Sequence, residues 1–322
     1  MDPSLPPALA GAIQRELEGV SRKDLAIRSA ATTAAYRAGG TSAAAIRTGA
    51  DALAYALARL PATYAATTAV LSEARARAPD FAPRSLLDAG CGPGGGSWAA
   101  IGAWPGLEAV RWVDASGPFL DLAGRLAAAG PAPLGRAETR RGDLSGEALP
   151  TADLVLASYV LAELPASRQA EVATRLWEAC EGVLAIVEPG TPAGYARILE
   201  ARRVLLQAGA TLLAPCPHAN DCPLAEPDWC HFTVRLPRSR DHQIAKAAEV
   251  PFEDERFAYL LAARPGVAVA PAAARILAPP KASKPGIAFK VCGLGGLEQR
   301  FAPRRDKTAY ATARRRGWGD AL

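Results

Sequence analysis

Four of the chain's six cysteines, Cys216, Cys222, Cys230 and Cys292, are separated by six, eight and 62 residues, and the first three sit in a proline-rich stretch. In a reducing compartment such clustering points to a metal rather than to disulfides. Structural zinc takes ligands in pairs about two to four residues apart. No two of these cysteines are that close, although His218 or His231 could substitute for a thiolate. An iron-sulfur cluster is a larger object that a loop can wrap at wider spacing, and four thiolates match a 4Fe-4S centre. Spacing alone leaves the two level. The second constellation is Leu86-Leu87-Asp88-Ala89-Gly90-Cys91-Gly92-Pro93-Gly94-Gly95-Gly96. An apolar run entering close-set glycines lets the backbone turn sharply and approach a ligand that side chains would exclude, and the following helix offers its N-terminus. Asp114 lies 26 residues beyond Asp88, at the end of the next apolar run, where a carboxylate can accept two ribose hydroxyls. Gly142-Asp143-Leu144 puts another acid after the third strand position, where an adenine amino group could donate. Cys91, inside the turn, reads as a small packing residue.

This order, Asp-x-Gly-x-Gly-x-Gly, an acid at strand two and an acid after strand three, resembles the class I S-adenosylmethionine-dependent methyltransferases over about residues 85–209. The resemblance implies a cofactor site formed by Asp88, Gly90, Gly92, Gly94, Asp114, Asp143 and Leu144. The rival, an NAD site, places its first glycine directly after the strand and lacks the preceding acid. The segment after the fourth strand carries target chemistry in many methyltransferases, and here it reads Ser158-Tyr159-Val160-Leu161-Ala162-Glu163-Leu164-Pro165. It lacks the Asn or Asp followed by Pro-Pro and an aromatic that handles an exocyclic base nitrogen. It also lacks a Pro-Cys for attack on cytosine C6, and Pro215-Cys216 lies far outside it. Tyr159 and Glu163 could contact substrate or simply cap and pack a helix, the second reading being preferred, and no catalytic residue is assigned.

These groups need a frame. Residues 85–89, 109–113, 153–158 and 183–187 read as buried strands, with helices near 96–103, 118–129, 167–180 and 193–208. Strands alternating with helices predict an α/β fold, a doubly wound, Rossmann-like parallel sheet. Ahead of it, Ser21 with Asp24 reads as a helix start, Gly39-Gly40 as a stop, and Ser42 as the cap of a helix ending near Pro61. A third helix over 62–76 completes an N-terminal helical layer. Beyond Thr211, strand-like runs at 232–236, 257–262, 287–291 and 299–301 suggest a separate cysteine-rich β appendage, and 307–316 a short basic helix. The expected division is a helical region at 1–80, a methyltransferase-like domain at 81–210, the appendage at 211–302 and a basic tail at 303–322.

The net charge of +5 is unevenly placed: residues 281–322 hold ten lysines and arginines against Glu298, Asp306 and Asp320. A basic segment on a near-neutral body suits a polyanion such as nucleic acid, the bland alternative being a solvated tail. Lys307, Arg314, Arg315 and Arg316 would meet phosphates and Trp318 would stack on an unpaired base. No apolar stretch approaches the roughly 18 residues of a membrane-spanning helix, and the first residues fit neither a secretory signal nor a transit peptide. A cytoplasmic protein is expected.

The chain as a whole resembles the methyltransferase-like ribosomal small-subunit assembly family, which includes the mitochondrial small-subunit protein and its bacterial relatives. The resemblance runs from about residue 20 to the end. Beyond the glycine loop it is carried by Glu188-Pro189-Gly190-Thr191-Pro192, by Cys216-Pro217-His218 with cysteines six and fourteen residues later, and by Phe232-Thr233-Val234-Arg235-Leu236-Pro237-Arg238. Val291-Cys292-Gly293 and the ending Arg314-Arg315-Arg316-Gly317-Trp318-Gly319-Asp320 complete it. It implies a 4Fe-4S cluster on Cys216, Cys222, Cys230 and Cys292, and association with the small ribosomal subunit and its rRNA in assembly and translation, by a chain that is monomeric when free. The enzyme expected is an rRNA methyltransferase. The alternatives are a non-catalytic RNA-binding assembly factor and a zinc-containing methyltransferase. A small-molecule methyltransferase explains neither the cysteines nor the basic end.

Overall fold

A computed structural model describes residues 1–37, 39–146 and 148–322. The N-terminal layer holds α1 (Pro7–Glu16), α2 (Arg22–Arg37), α3 (Ser42–Ala45), α4 (Gly49–Ala58) and α5 (Leu60–Arg77). Ser21 caps α2 as expected, its Oγ accepting the Asp24 N–H at 3.3 Å. The next helix departs from expectation. Thr41, not Ser42, is the cap, and α3 lasts only four residues. Thr48 and Asp51 then form a reciprocal capping box that starts α4 afresh, because two orphan backbone donors are satisfied at once.

The central layer follows as β1 (Ser85–Ala89), α6 (Gly95–Ala103), β2 (Ala109–Asp114), α7 (Gly117–Ala127), α8 (Ala132–Gly135), β3 (Glu138–Arg141), β4 (Ala152–Ser158), α9 (Ala166–Ala179), β5 (Cys180–Pro189) and α10 (Pro192–Gln207). Then come β6 (Thr211–Ala214), β7 (Phe232–Pro237), α11 (Arg240–Lys246) and β8 (Phe252–Ala263). The sheet order is β3-β2-β1-β4-β5-β8-β6, with β7 also on β8. The first five strands are parallel, and β8 runs antiparallel to β5. Leu86, Leu87, Leu154, Val155, Leu156 and Val183 are fully buried, as expected of strands covered on both faces. Chain order reverses between β1 and β4, which opens a crevice at their carboxyl ends where ligands of such sheets bind. This is the doubly wound methyltransferase-like fold read from the sequence.

The separate appendage needs correction. β8 pairs along one edge with β5 and along the other with β6 at its C-terminal half and β7 at its N-terminal half. Residues 211–214, 232–237 and 252–263 therefore extend the main sheet. Burial follows from this: Phe257 to Ala263 are all covered, as suits a strand paired along both edges inside the main sheet. A second, four-stranded sheet holds the rest: β9 (Ala274–Ile276), β10 (Lys281–Ala282), β11 (Gly286–Gly293) and β12 (Gly296–Pro303), followed by α12 (Lys307–Ala313). Nor is the C-terminus a loose tail. Leu322 and Ala274 exchange backbone hydrogen bonds of 2.8 and 3.1 Å, and the Gly319 N–H donates to Ile276 O at 3.0 Å. Among the described residues no helix is long and apolar enough to cross a membrane.

Candidate cofactor cleft and cysteine cavity

β1 ends in a turn whose Gly90 and Gly92 have φ of 73° and 54°, a region that costs a side-chain-bearing residue about 1 kcal/mol or more. Gly90 has a second constraint, since an added Cβ would lie 2.6 Å from Val160 Cγ2. At Gly92 an added Cβ meets nothing within 4 Å, so that position faces open space. Gly90, Gly92, Asp114, Asp143 and Leu144 line one cleft of about 280 Å³, together with Tyr55, Ser158, Tyr159 and Glu163. Two of the expected residues stand behind it. Gly94 is the cap of α6 and packs toward Trp112 and Ala123. Asp88 is 1% exposed, and its carboxylate accepts from Ser97 Oγ at 2.7 Å, which in turn accepts from Trp112 Nε1 at 2.9 Å. Burial pushes Asp88 up to about 7. Its position beneath the turn ties β1 to α6.

Asp114 closes the turn. Its Oδ2 accepts the Gly92 N–H and its Oδ1 the Ser116 N–H, each at 2.8 Å. Burial raises its pKa, and those two donors oppose the rise. Each carboxylate oxygen keeps a second lone pair. Asp143 sits below the usual carboxylate range because the Ser145 N–H and hydroxyl donate to it, at 2.9 and 2.8 Å. Cys91 is buried in the main core, as a packing residue should be.

After β4, each polar side chain is engaged within the protein. Ser158 Oγ lies 3.0 Å from Thr67 Oγ1. Tyr159, at φ 62°, donates its hydroxyl to Glu255 at 2.7 Å. Glu163 accepts from both the backbone N–H and the hydroxyl of Ser42, which matches the capping role read for it. Sequence reasoning missed Glu188 as a functional position. This fully buried acid accepts the Leu161 N–H at 3.0 Å and pairs with Arg197 at 2.6 Å. Burial still pushes it up to about 7. It holds the cleft wall to the start of α10.

Cys216, Cys222, Cys230 and Cys292, brought from the β6–β7 loop and from β11, line a single cavity with Tyr195, Arg202 and Arg275. Tyr195 OH is 3.0 Å from Cys222 Sγ, and His218 Nε2 is 3.5 Å from Cys292 Sγ. Burial raises the thiols of Cys216, Cys230 and Cys292, that of Cys292 to about 11, and neighbouring thiols add to the rise. Arg202 and Arg275 oppose it at Cys216. Metal thiolates are anionic, and the two buried guanidiniums that line the cavity suit such a centre. Among the described residues no three His, Cys, Asp or Glu side chains form a group that could hold a metal ion. His231 is turned away: it stacks on Trp229 with ring centroids 4.9 Å apart.

Lys307, Arg314, Arg315 and Arg316 are exposed. Trp318 departs from its expected role as a base platform. Its ring packs edge-on against His231 at 4.8 Å and against the main core, with Nε1 buried.

A family model described as mitochondrial small ribosomal subunit Rsm22 matches residues 49–322. The human ribosome assembly protein METTL17, mitochondrial, is 30% identical over 293 residues, covering 84% of this chain and 62% of that protein. The Rsm22-cox11 tandem protein 2, mitochondrial, of Schizosaccharomyces pombe is 30% identical over 193 residues, 53% of this chain and 25% of that protein. The chain thus spans less than two thirds of the length of these relatives. Among solved structures, the magnesium protoporphyrin IX methyltransferase of Synechocystis is similar with a TM-score of 0.42 and 18% identity, over 63% of this chain and 80% of that one. The fold assignment rests on the strand order itself. With its match running through the glycine turn, all four cysteines and the C-terminal segment, the chain belongs to the family of the mitochondrial small ribosomal subunit protein Rsm22.

Proposed function

We propose that the chain binds S-adenosylmethionine in the cleft between β1 and β4, carries a 4Fe-4S cluster on Cys216, Cys222, Cys230 and Cys292, and acts on small-subunit rRNA during ribosome assembly. The cofactor reading is carried by one observation: Asp114 and Asp143 line the same cleft as the glycine turn, at the sheet's switch point. There Asp114 would take the ribose hydroxyls, Asp143 and Leu144 the adenine edge, and the bare backbone at Gly92 leaves room for the rest. When bound, the cofactor supplies an electrophilic methyl group. Four thiols around one cavity support the cluster, a larger object that wider ligand spacing can wrap. The rRNA reading is supported by the name of the human relative, a ribosome assembly protein, and by the exposed basic residues.

A second reading, a scaffold that binds cofactor and RNA without transferring a methyl group, is favoured by the internal engagement of Ser158, Tyr159, Glu163 and Glu188. Mass analysis of modified nucleosides in small-subunit RNA, from cells with and without the protein, separates the two. Loss of a methylated nucleoside is expected of the enzyme, and an unchanged set of the scaffold. For RNA contact, replacing Arg314, Arg315 and Arg316 together with alanine should flatten the log-log salt dependence of binding by about two to three units, since each phosphate contact contributes roughly 0.7 to 0.9. An unchanged slope in a titration against small-subunit RNA would move the phosphate contacts elsewhere.

A further inference from the structure

We infer that the outer face of the second sheet, centred on Phe301, is a stacking platform for an unpaired stretch of RNA, with Lys281, Lys284 and Arg305 meeting its phosphates. The inference rests on the RNA reading above and names the surface that would carry it. In the sheet register Phe301 lies opposite Ala288, and Ala288 opposite Lys281. Directly paired residues point to the same side, so these three form one row across three strands, about 10 Å wide at the usual strand spacing. The other side of the sheet is closed: Ile287, Phe289 and Val291 alternate inward and pack with Ala313 of α12.

Phe301 is 53% exposed and Leu297, four residues earlier on the same side of β12, is 42% exposed. The ring of Phe301 is braced, because a Cβ placed on Gly286 would fall 2.5 Å from its Cζ. An aromatic ring fixed on backbone, with half its surface in water, loses little freedom when a base stacks on it. The charge around it has one sign. Lys281, Lys284 and Arg305 are exposed and form no ion pair among the described residues, whereas Arg304 lies over the Tyr310 ring on the α12 side. The acids of this region are already engaged: Glu298 with Arg300, Asp306 as the cap of α12, and Asp320 with the Gly317 N–H. A surface of exposed aromatic and uncompensated cations suits a polyanion whose bases are free to stack, which is single-stranded RNA. A duplex hides its base faces, and a purely apolar protein partner leaves the cations unexplained. The site also supplies the stacking role that Trp318, packed on His231, does not.

The test is fluorescence anisotropy on the full chain, purified anaerobically, with an unstructured RNA of about 12 nucleotides, within the usual single-strand site size, and a duplex of equal length. Phe301→Ala should weaken single-strand binding about tenfold while leaving the salt slope and duplex binding unchanged. Phe301→Trp should bind as the parent does. Phe301→Leu keeps the cover over Gly286 but has no ring face, so it should fall with the alanine variant even where folding is intact. Joint replacement of Lys281, Lys284 and Arg305 by glutamine should lower the slope by about two units, at roughly 0.7 per single-strand contact. If Phe301→Leu binds as the parent does, or Phe301→Ala weakens both RNAs equally, the platform is overturned and the RNA reading stands. If the parent chain binds neither RNA nor small-subunit rRNA, the functional reading fails instead.

Discussion

Serine at any one of Cys216, Cys222, Cys230 or Cys292 is expected to remove most of the visible absorbance of the anaerobically purified protein. The parent should be brown and carry about four irons per chain, because a cluster of this kind is held by four thiolates and its sulfide-to-iron bonds absorb visibly. Each thiol lines the same cavity, and a hydroxyl is a poorer ligand for iron, so no single position should be dispensable. The effect should extend to folding. The cavity joins the β6–β7 loop to β11, segments 62 residues apart in sequence at the last two cysteines, and metal binding by a site that does not exist in the unfolded chain adds to folding free energy. Cys180→Ala, at the start of β5 beside Ala152 of β4 and outside the residues lining the cavity, serves as the control and should keep full iron and colour. Iron and sulfide analysis beside the spectrum decides the matter; a colourless parent with one zinc would reject the cluster.

Arg275→Met should be the most destabilising single change outside the cysteines. Arg275 is 1% exposed and donates to three carriers of the fold: Pro215 O at 3.2 Å, Gly319 O at 2.8 Å and Glu73 Oε1 at 2.7 Å. It therefore joins α5, the entry to the cysteine loop and the C-terminal segment. Methionine fills a similar volume but leaves two carbonyls and a carboxylate without this donor. Removing one partner of a buried pair costs about 3–5 kcal/mol. Glu73 keeps 20% of its side-chain surface in water and stays paired with Arg77 at 3.2 Å, so a loss at or below the lower end, about 3 kcal/mol, is expected. Urea unfolding of the holoprotein should show the midpoint falling with little change in slope, together with faster loss of iron to a chelator. Arg275→Lys keeps the charge but not the planar fork, and should recover only part of the loss. An unchanged midpoint in the methionine variant would show that these contacts carry little of the stability.

The parts of this fold that could be read from sequence are those whose burial leaves a local pattern. β1, β2, β4 and β5 are apolar runs because helices cover both their faces, and the glycine turn is visible because no other residue suits its backbone. β3 was not legible as a run: Glu138-Thr139-Arg140-Arg141 is a mostly exposed edge strand, with the charged composition by which edges avoid further pairing. The sharing of β8 between β6 and β7 could not be read either, since a strand's two edges leave no separate trace in its residues. Long-range ties are equally silent. Ser42 and Glu163 are 121 residues apart, and neither carries a local mark of the other. Trp318 looked like a free aromatic beside arginines because its partner His231 is distant in sequence. The cysteines were legible as a set because four of one uncommon residue type stand close together or recur in the C-terminal part of the chain, although the two buried arginines beside them in the cavity were not.

Calorimetric titration of the intact holoprotein with S-adenosylmethionine tests the cofactor reading most directly. One site per chain is expected. Asp114→Ala should weaken binding by tenfold or more, as loss of a hydrogen bond to a charged group costs about 1.5–3 kcal/mol and about 1.4 kcal/mol is a factor of ten. Gly92→Val should also weaken it, because an added Cβ faces the open space of the cleft and a branched side chain strains the turn at φ 54°. If the parent chain gives no binding heat at about 1 mM cofactor, where even an affinity worth about 4 kcal/mol would register, the cleft is not an S-adenosylmethionine site and the enzyme reading falls with it.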